Sequence, residues 1–310
     1  MVTGDRQLDV AFVGRANVDI TVRVPSRAVP GRTVFASSPA AIAAGGKSLN
    51  QAIAAACAGA RVGLVGNAGA DSWGHLVVEA LQAAQVDTSL FSLVPSASTG
   101  AAIIEIGPDG ENCIVLALSP ETELTPEQVS ARLGHLRAGV VVTQFDLQPD
   151  TVDAVLRYQQ ADVRIGNLVP HPGVGRAGLA GLDLYVVNEQ EAAAILGCHH
   201  GDPMDAARDL RKFGVRAAVV TAGSRGAAYS SPDETALVPA KQVSAVDTSG
   251  AGDVFLGVLA TQLAQRAPLS HAMVRAVEAG SVAVQYPGPR PPAAILSETT
   301  LGGERRHVSP

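Results

Sequence analysis

Apolar runs of strand length alternate along this chain with segments whose apolar positions recur every three or four residues. The strand-length runs are Leu8–Gly14, Val62–Gly66, Val140–Gln144, Val163–Leu168, Leu184–Val187 and Ala217–Thr221. They are rich in valine and mostly apolar on both sides, the pattern of strands buried between two helical layers. Helix-period segments lie between them at Ser48–Ala58, Trp73–Ala84, Thr151–Gln160 and Met204–Phe213. Thr125-Pro126-Glu127-Gln128 offers an N-cap, a first-turn proline and a capping-box glutamine, and Asp202-Pro203 repeats the cap and proline. The alternation predicts an α/β fold in which a mostly parallel sheet is covered by helices on both faces.

Two regions break the pattern. Residues 15–45 and 98–118 read as extended segments with turns, and Thr99–Ile106, Pro108-Asp109-Gly110 and Asn112–Leu118 together signal a hairpin. Strands that do not alternate with helices are expected to form a small separate sheet. Over the carboxyl edge of the main sheet it would act as a lid, since ligands bind there in open α/β folds. The expected organisation is one domain over residues 1–296, its lid formed by 15–45 and 98–118, and a flexible tail over 297–310.

Composition narrows the partners. With 47% hydrophobic and 17% charged residues, 310 residues suffice for a large buried core. A net charge of −6 provides no basic excess for a nucleic acid, though a small anion needs only a few local groups. Cys57, Cys113 and Cys198 are scattered, which reads as reduced thiols of a cytosolic protein, and Cys198-His199-His200 reads as an exposed loop without a partner cluster for a metal. No basic, then apolar, leader opens the chain and no long uninterrupted apolar window occurs, so a cytoplasmic location away from membranes is expected.

The chemistry concentrates in Asp247-Thr248-Ser249-Gly250-Ala251-Gly252-Asp253. Val254, Phe255, Val258, Leu259 and Leu263 form one stripe of a helix that starts near Gly252. Glycines at a helix start leave N–H groups open to an anion, and the helix dipole adds to the attraction. A carboxylate inside such an anion hole is repelled by phosphate unless the chemistry needs it, and a general base for a hydroxyl nucleophile is such a need. The plainer alternative is a capped glycine-rich turn. A second stretch, Ala41-Ile42-Ala43-Ala44-Gly45-Gly46-Lys47-Ser48, imitates a phosphate-binding loop of the G-x-x-x-x-G-K-[ST] type but lacks its first glycine and a core strand before it.

The heptad from Asp247 to Asp253 resembles the D-T-x-G-A-G-D signature of the ribokinase-like sugar kinases, the PfkB carbohydrate kinases. Other stretches resemble that family in the family's own order. They are Gly14-Arg15-Ala16-Asn17-Val18-Asp19, Gly45-Gly46-Lys47 with Asn50-Gln51-Ala52, Ser98-Thr99-Gly100, Glu111-Asn112, Asn188-Glu189-Gln190-Glu191 and Thr221-Ala222-Gly223-Ser224-Arg225-Gly226. The resemblance implies a three-layer ribokinase-like fold and transfer of a phosphoryl group from ATP to a sugar hydroxyl. It implies that Asp253 is the base and that Gly250, Ala251 and Gly252 form the anion hole. Asn17, Asp19, Gly45, Gly46, Lys47, Asn50 and Asp146 would contact the sugar. Thr221, Gly223, Ser224, Gly226 and Gly252 would lie against the nucleotide, with Asn188 and Glu191 organising Mg²⁺ through water. Asp247, Ser249, Ala283, Tyr286, Gly288 and Pro292 match the positions that hold K⁺ or another monovalent cation. Asn17 and Asp19 also suit a strand-end turn, and Asn188 and Glu191 also suit helix capping.

Departures from ribokinases cluster on the acceptor side. Asp146 stands where a Glu is usual, Ser48-Leu49 replaces Gly-Ala, and Leu118-Ser119-Pro120-Glu121 replaces a different loop. D-ribose phosphorylated at O5 remains the first expectation, with fructose, a keto-deoxy sugar acid or a nucleoside as rivals, and a non-catalytic sensor of sugar or nucleotide as the alternative of another class. Residues 98–118 carry no Lys or Arg for a phosphosugar, and only 4% of residues are aromatic for a nucleobase acceptor. Pairing of two lids in a homodimer is expected, because the apolar Val34-Phe35 and Ala101–Ile106 need a cover.

Overall fold

The computed structural model describes residues 6–170 and 176–301. In chain order the elements are β1 (Arg6–Val13), β2 (Asn17–Arg23), β3 (Ala41–Gly45), α1 (Lys47–Cys57), β4 (Val62–Gly69), α2 (Ser72–Ala83), β5 (Phe91–Val94), β6 (Ala101–Ile106) and β7 (Asn112–Ala117). They continue with α3 (Pro126–Leu133), β8 (Leu136–Gln144), α4 (Pro149–Leu156), β9 (Ala161–Asn167), α5 (Arg176–Leu179), β10 (Leu184–Asn188), α6 (Glu189–Leu196), α7 (Pro203–Arg211) and β11 (Ala217–Thr221). The last are β12 (Ala227–Ser230), β13 (Thr235–Val238), α8 (Ala251–Ala264), α9 (Leu269–Ala283) and α10 (Ala293–Leu301).

Nine strands form the main sheet in the order β13-β12-β11-β10-β9-β8-β1-β4-β5. Its pairs are parallel except β11–β12 and β12–β13. Strand periodicity sorts the core into two layers: Val10 and Phe12 of β1 face one cluster with α8 and α9, whereas Ala11 and Val13 face another with α3, α4 and α7. The expected three-layer architecture is what forms. The remaining strands make a separate sheet in the order β3-β2-β6-β7. β6 and β7 are the expected hairpin, with Ile106 opposite Asn112 at its turn.

The caps at Thr125 and Asp202 are in place, the first as a full capping box. Helix α4 stops at Leu156, short of the expected Gln160, because Tyr158 turns inward to donate its hydroxyl to the Leu136 carbonyl. Residues 297–301 are helical, where a flexible tail was expected, and the Ser297 hydroxyl donates to the Cys57 carbonyl at 2.7 Å. Residues 302–310 of that tail, like Met1–Asp5 at the start, lie outside the described residues. All three cysteines are free thiols, and among the described residues no helix is long and apolar enough to cross a membrane.

The packing of α1 on α8 positions the chemistry. A Cβ at Gly257 would lie 2.6 Å from the Gln51 carbonyl oxygen, so only glycine lets the helices approach this closely. The Thr261 hydroxyl donates across the same seam to the Ala55 carbonyl at 3.3 Å. The first turns of both helices therefore meet face to face at the end of the sheet.

Candidate active site

At that meeting point Asp253 is only 8% exposed, in the first turn of α8. Asn50 Nδ2 donates to its Oδ2 at 3.2 Å, and Gln51 Nε2 donates to its Oδ1 at 3.0 Å. The amides continue inward: Gln51 Nε2 also donates to Asn167 Oδ1, Gln144 Nε2 to Gln51 Oε1, and Asn167 Nδ2 to the Val186 carbonyl. Each amide's orientation is thus set by the next, and three core strand ends hold the carboxylate through one helix. Burial pushes the Asp253 carboxyl above the usual range, against the pull of the Lys47 ammonium, the two amide donors and the Arg290 guanidinium.

The small sheet and its connections carry the other residues expected to contact a sugar. Asn17 opens β2 and its Nδ2 donates to Asp19 Oδ1 at 2.8 Å, while β3 pairs Gly45 with Asn17 and Gly46 caps α1. Burial raises the Asp19 carboxyl too, opposed by Asn17 and Arg290. Asp146 follows β8 and pairs with Arg15 at 2.8 Å, and Arg15 grips Glu123 with two further donors at 2.8 Å each. The Arg15 bridge ties the two connections between lid and main sheet. It leaves Asp146 Oδ1 buried and without a hydrogen-bond partner. Lys47 is exposed and makes no hydrogen bond or ion pair with the described residues; its charge acts on both Asp253 and Asp146.

A cavity of about 660 Å³ opens from this point along the carboxyl ends of β10 and β11. Lys47 and Gly250–Asp253 line one end of it, and Asn188, Glu191, Thr221, Gly223, Ser224 and Gly226 line its wall. Gly250 caps α8 in the left-handed region at φ +70°, Ala251 N–H donates to the Thr248 carbonyl at 3.4 Å, and the backbone of Gly250–Gly252 lines the cavity at the start of the helix. Asn188 and Glu191 form a capping box on α6: Glu191 N–H donates to Asn188 Oδ1 at 2.8 Å and Asn188 N–H to Glu191 Oε2 at 2.9 Å. A buried carboxylate at a glycine-rich helix start, with a cavity opening beside it, is an arrangement that suits phosphoryl transfer to a hydroxyl.

Residues 7–295 match the pfkB family of carbohydrate kinases. The chain belongs to that family. It is an ATP-dependent carbohydrate kinase with a ribokinase-like fold. It is 30% identical over 286 residues to a bifunctional ribokinase/ribose-5-phosphate isomerase A of Fructilactobacillus sanfranciscensis, covering 90% of this chain but 53% of that protein. It is also 30% identical over 282 residues to a deoxyribokinase of Salmonella typhi, covering 87% of this chain and 90% of that one. Among solved structures, an Arabidopsis thaliana ribokinase complexed with ribose and ATP superposes with a TM-score of 0.78 at 25% identity, over 94% of this chain and 98% of the other.

In this kinase the pseudo-phosphate loop at Ala41–Ser48 is the edge strand of the lid followed by the start of α1, so no core strand precedes it. Asp247 accepts N–H donors from Ser249 at 2.9 Å and from Gly288 at 3.0 Å. Burial works against its ionisation, but these donors prevail and hold the carboxyl below its ordinary value. Ala283 ends α9 and its carbonyl accepts from Tyr286 N–H, so Asp247, Ser249, Ala283, Tyr286 and Gly288 share one loop junction, with Pro292 just beyond it. The carboxylate of Asp247 thus braces the loop before α8 against the loop after α9. For a divalent ion, the capping box leaves Glu191 Oε1 without a hydrogen bond from the described residues. Among those residues no group of three His, Cys, Asp or Glu could hold a metal. A single carboxylate oxygen would suit a Mg²⁺ ion held mainly by water and phosphate.

Gln51 lies inside a matched stretch but with no expected role, and Gln144, Asn167, Glu123 and Arg290 lie outside the expected site residues. Nothing in a linear pattern marks an amide or arginine whose partner lies about a hundred or more residues away; only their position at strand ends or beside a recognised motif hints at it.

Proposed function

We propose that this kinase transfers the γ-phosphoryl group of ATP to the primary hydroxyl of D-ribose, forming ribose 5-phosphate. One observation carries the reading: a buried carboxylate, Asp253, is held by neutral amides beside the open first turn of α8, where the cavity for the nucleotide begins. In the reaction the sugar hydroxyl forms the new O–P bond, the bond from the γ-phosphorus to the β-bridging oxygen breaks, and Asp253 takes the hydroxyl proton. Asn50 and Gln51 hold the base at the hydroxyl. The N–H groups of Gly250–Gly252 and the Lys47 ammonium meet charge developing on the phosphoryl oxygens. Asn17, Asp19, Gly45 and Gly46 orient the sugar from the lid, and Asp146 offers its unpartnered oxygen to a hydroxyl. Thr221, Gly223, Ser224 and Gly226 bound the nucleotide. Asn188 and Glu191 would hold Mg²⁺ and its waters, which would supply neutralisation of phosphate charge, and the Asp247 junction would hold K⁺ next to the turn that carries Gly250.

We read the active form as a cytoplasmic homodimer joined by its lids. Strand register supports this. Ile42, Ile20, Ile103 and Val115 form one row across the lid sheet, on the face opposite the row that contains Asp19. Ile42, Ile103 and Val115 are 53%, 44% and 61% exposed, an apolar stripe that a second lid would cover. Sedimentation of a species at twice the 31.6 kDa chain mass is expected, and a lone monomer would remove the dimer.

The deoxyribokinase relative favours 2-deoxy-D-ribose as a second acceptor. An ADP-release assay over D-ribose, 2-deoxy-D-ribose, fructose, a keto-deoxy sugar acid and a nucleoside separates them. The highest kcat/KM is expected with D-ribose, and a higher value with any other acceptor overturns that assignment.

A further inference from the structure

Arg290 reaches the acceptor end of the site from the loop that follows α9. Two residues before it, Gly288 N–H donates to Asp247 Oδ2, which anchors the loop beside the proposed cation junction. Arg290 Nη1 donates to Asn50 Oδ1 at 2.8 Å and Nη2 donates to the Ala44 carbonyl of β3 at 2.9 Å. An amide has one oxygen and one NH₂ group. With its oxygen held by Arg290, Asn50 must turn its NH₂ toward Asp253, where Nδ2 lies 3.2 Å from Oδ2.

We propose that Arg290 is a positioning residue for the phosphoryl-transfer base: by fixing the Asn50 amide it aims the Asp253 carboxylate, and it links the Asp247 loop and the lid strand to it. The proposal rests on the reading of Asp253 as base. Receipt of an anionic acceptor is a poorer role for Arg290, because both of its Nη groups are engaged by protein oxygens and Asp19 and Asp253 already balance its charge.

The charges facing Asp253 are few. Lys47 at the start of α1 and Arg290 on the loop favour its ionised form, and Asp19 on β2 opposes it; Asn50 and Gln51 are neutral donors. Arg290 also faces the Cys57 thiol of α1, which burial holds in its neutral form. Loss of Arg290 removes one of two cations and frees Asn50 to present its oxygen to the carboxylate, and both changes favour the protonated base.

The test is kcat against pH, at saturating ATP and acceptor, for the full chain and for Arg290→Met, Arg290→Gln, Arg290→Lys and Asp253→Asn, each checked for a cooperative melt. Arg290→Met and Arg290→Gln should move the acid limb up by about one pH unit, with kcat about tenfold lower on that limb and largely restored at alkaline pH. Arg290→Lys keeps the charge but not the two-pronged grip and should move the limb less. A fall in kcat that is uniform across pH, or an unmoved limb, overturns the proposal. If Arg290→Met fails to fold, Arg290→Gln and Arg290→Lys carry the same comparison. An active Asp253→Asn enzyme would instead remove the base reading itself, so the two failures are distinguishable.

Discussion

The two ends of the cavity are built from different materials. At the acceptor end, polar side chains from α1, β8, β9, α8 and the loop after α9 hold one another before any ligand arrives. At the nucleotide end the surfaces are backbone turns at Gly223–Gly226 and Gly250–Gly252, a capping box and an exposed Arg225–Glu189 ion pair. A base must sit within a few tenths of an ångström of its proton, so its setting is buried and cross-braced. Phosphates need only open N–H groups and room, which glycine turns supply. Rigidity follows the chemistry.

The sharpest test of that contrast is Asp253→Asn. It should lower kcat by about 10²–10⁴-fold, the usual cost of losing a positioned base, while the KM for ATP stays within about twofold of wild type. A mutant retaining more than half the wild-type kcat would show that the braced carboxylate is structural.

The same burial sets the pH dependence. The carboxyl is raised by desolvation, so the working, ionised form is lost as pH falls through a value above the ordinary aspartate value of about 4. The folded state also holds this proton more tightly than the unfolded chain. Its contribution to stability is therefore present at low pH and lost as pH rises through the raised value. The acid limb of kcat should sit above that of an exposed aspartate, and a limb at or below pH 4 would contradict the setting.

Two glycines at the nucleotide end separate shape from access. Gly250 needs its left-handed φ of +70°, and a Cβ there would strike the Pro289 carbonyl. Gly250→Ala should cost about 1–3 kcal/mol of strain, lower the melting temperature and cut kcat roughly tenfold by deforming the turn. A Cβ at Gly252 meets nothing within 4 Å of the protein. Gly252→Ala should leave the melting temperature equal or higher and raise the KM for ATP alone. Equal kinetic effects from the two would erase the distinction.

The contrast also decides what could be read from the sequence. The start of α8 was legible, because a glycine turn before a helix is a local pattern and its motif lies within a few residues. Valine-rich runs marked the parallel strands for the same reason. The brace was not legible: Gln51 meets Asn167 and Asp253, and Arg290 meets Asn50, across 116, 202 and 240 positions of chain. Amides carry no periodic signal, and only the folded sheet brings these strand ends together. The strands β12 and β13 are too short, at four residues each, for a period to show.

The smallest expected effect lies at Glu191, where two roles overlap. As a cap, Glu191 needs only an acceptor oxygen for the Asn188 N–H, and glutamine serves a capping box equally well. As an outer ligand for Mg²⁺ and its waters, it needs the negative charge and the free Oε1. Glu191→Gln therefore keeps the helix start and removes the charge. If the residue only caps, both the melting temperature and the kinetics stay at wild-type values. If it also steadies the ion, the Mg²⁺ concentration for half-maximal rate should rise by a few-fold, with kcat at saturating Mg²⁺ close to wild type. Glu191→Ala serves as the control, since it loses cap and charge together and should cost about 0.5–2 kcal/mol of stability as well. A Mg²⁺ response unchanged in Glu191→Gln would assign the box to folding alone and leave Glu191 without a part in the chemistry of the nucleotide end.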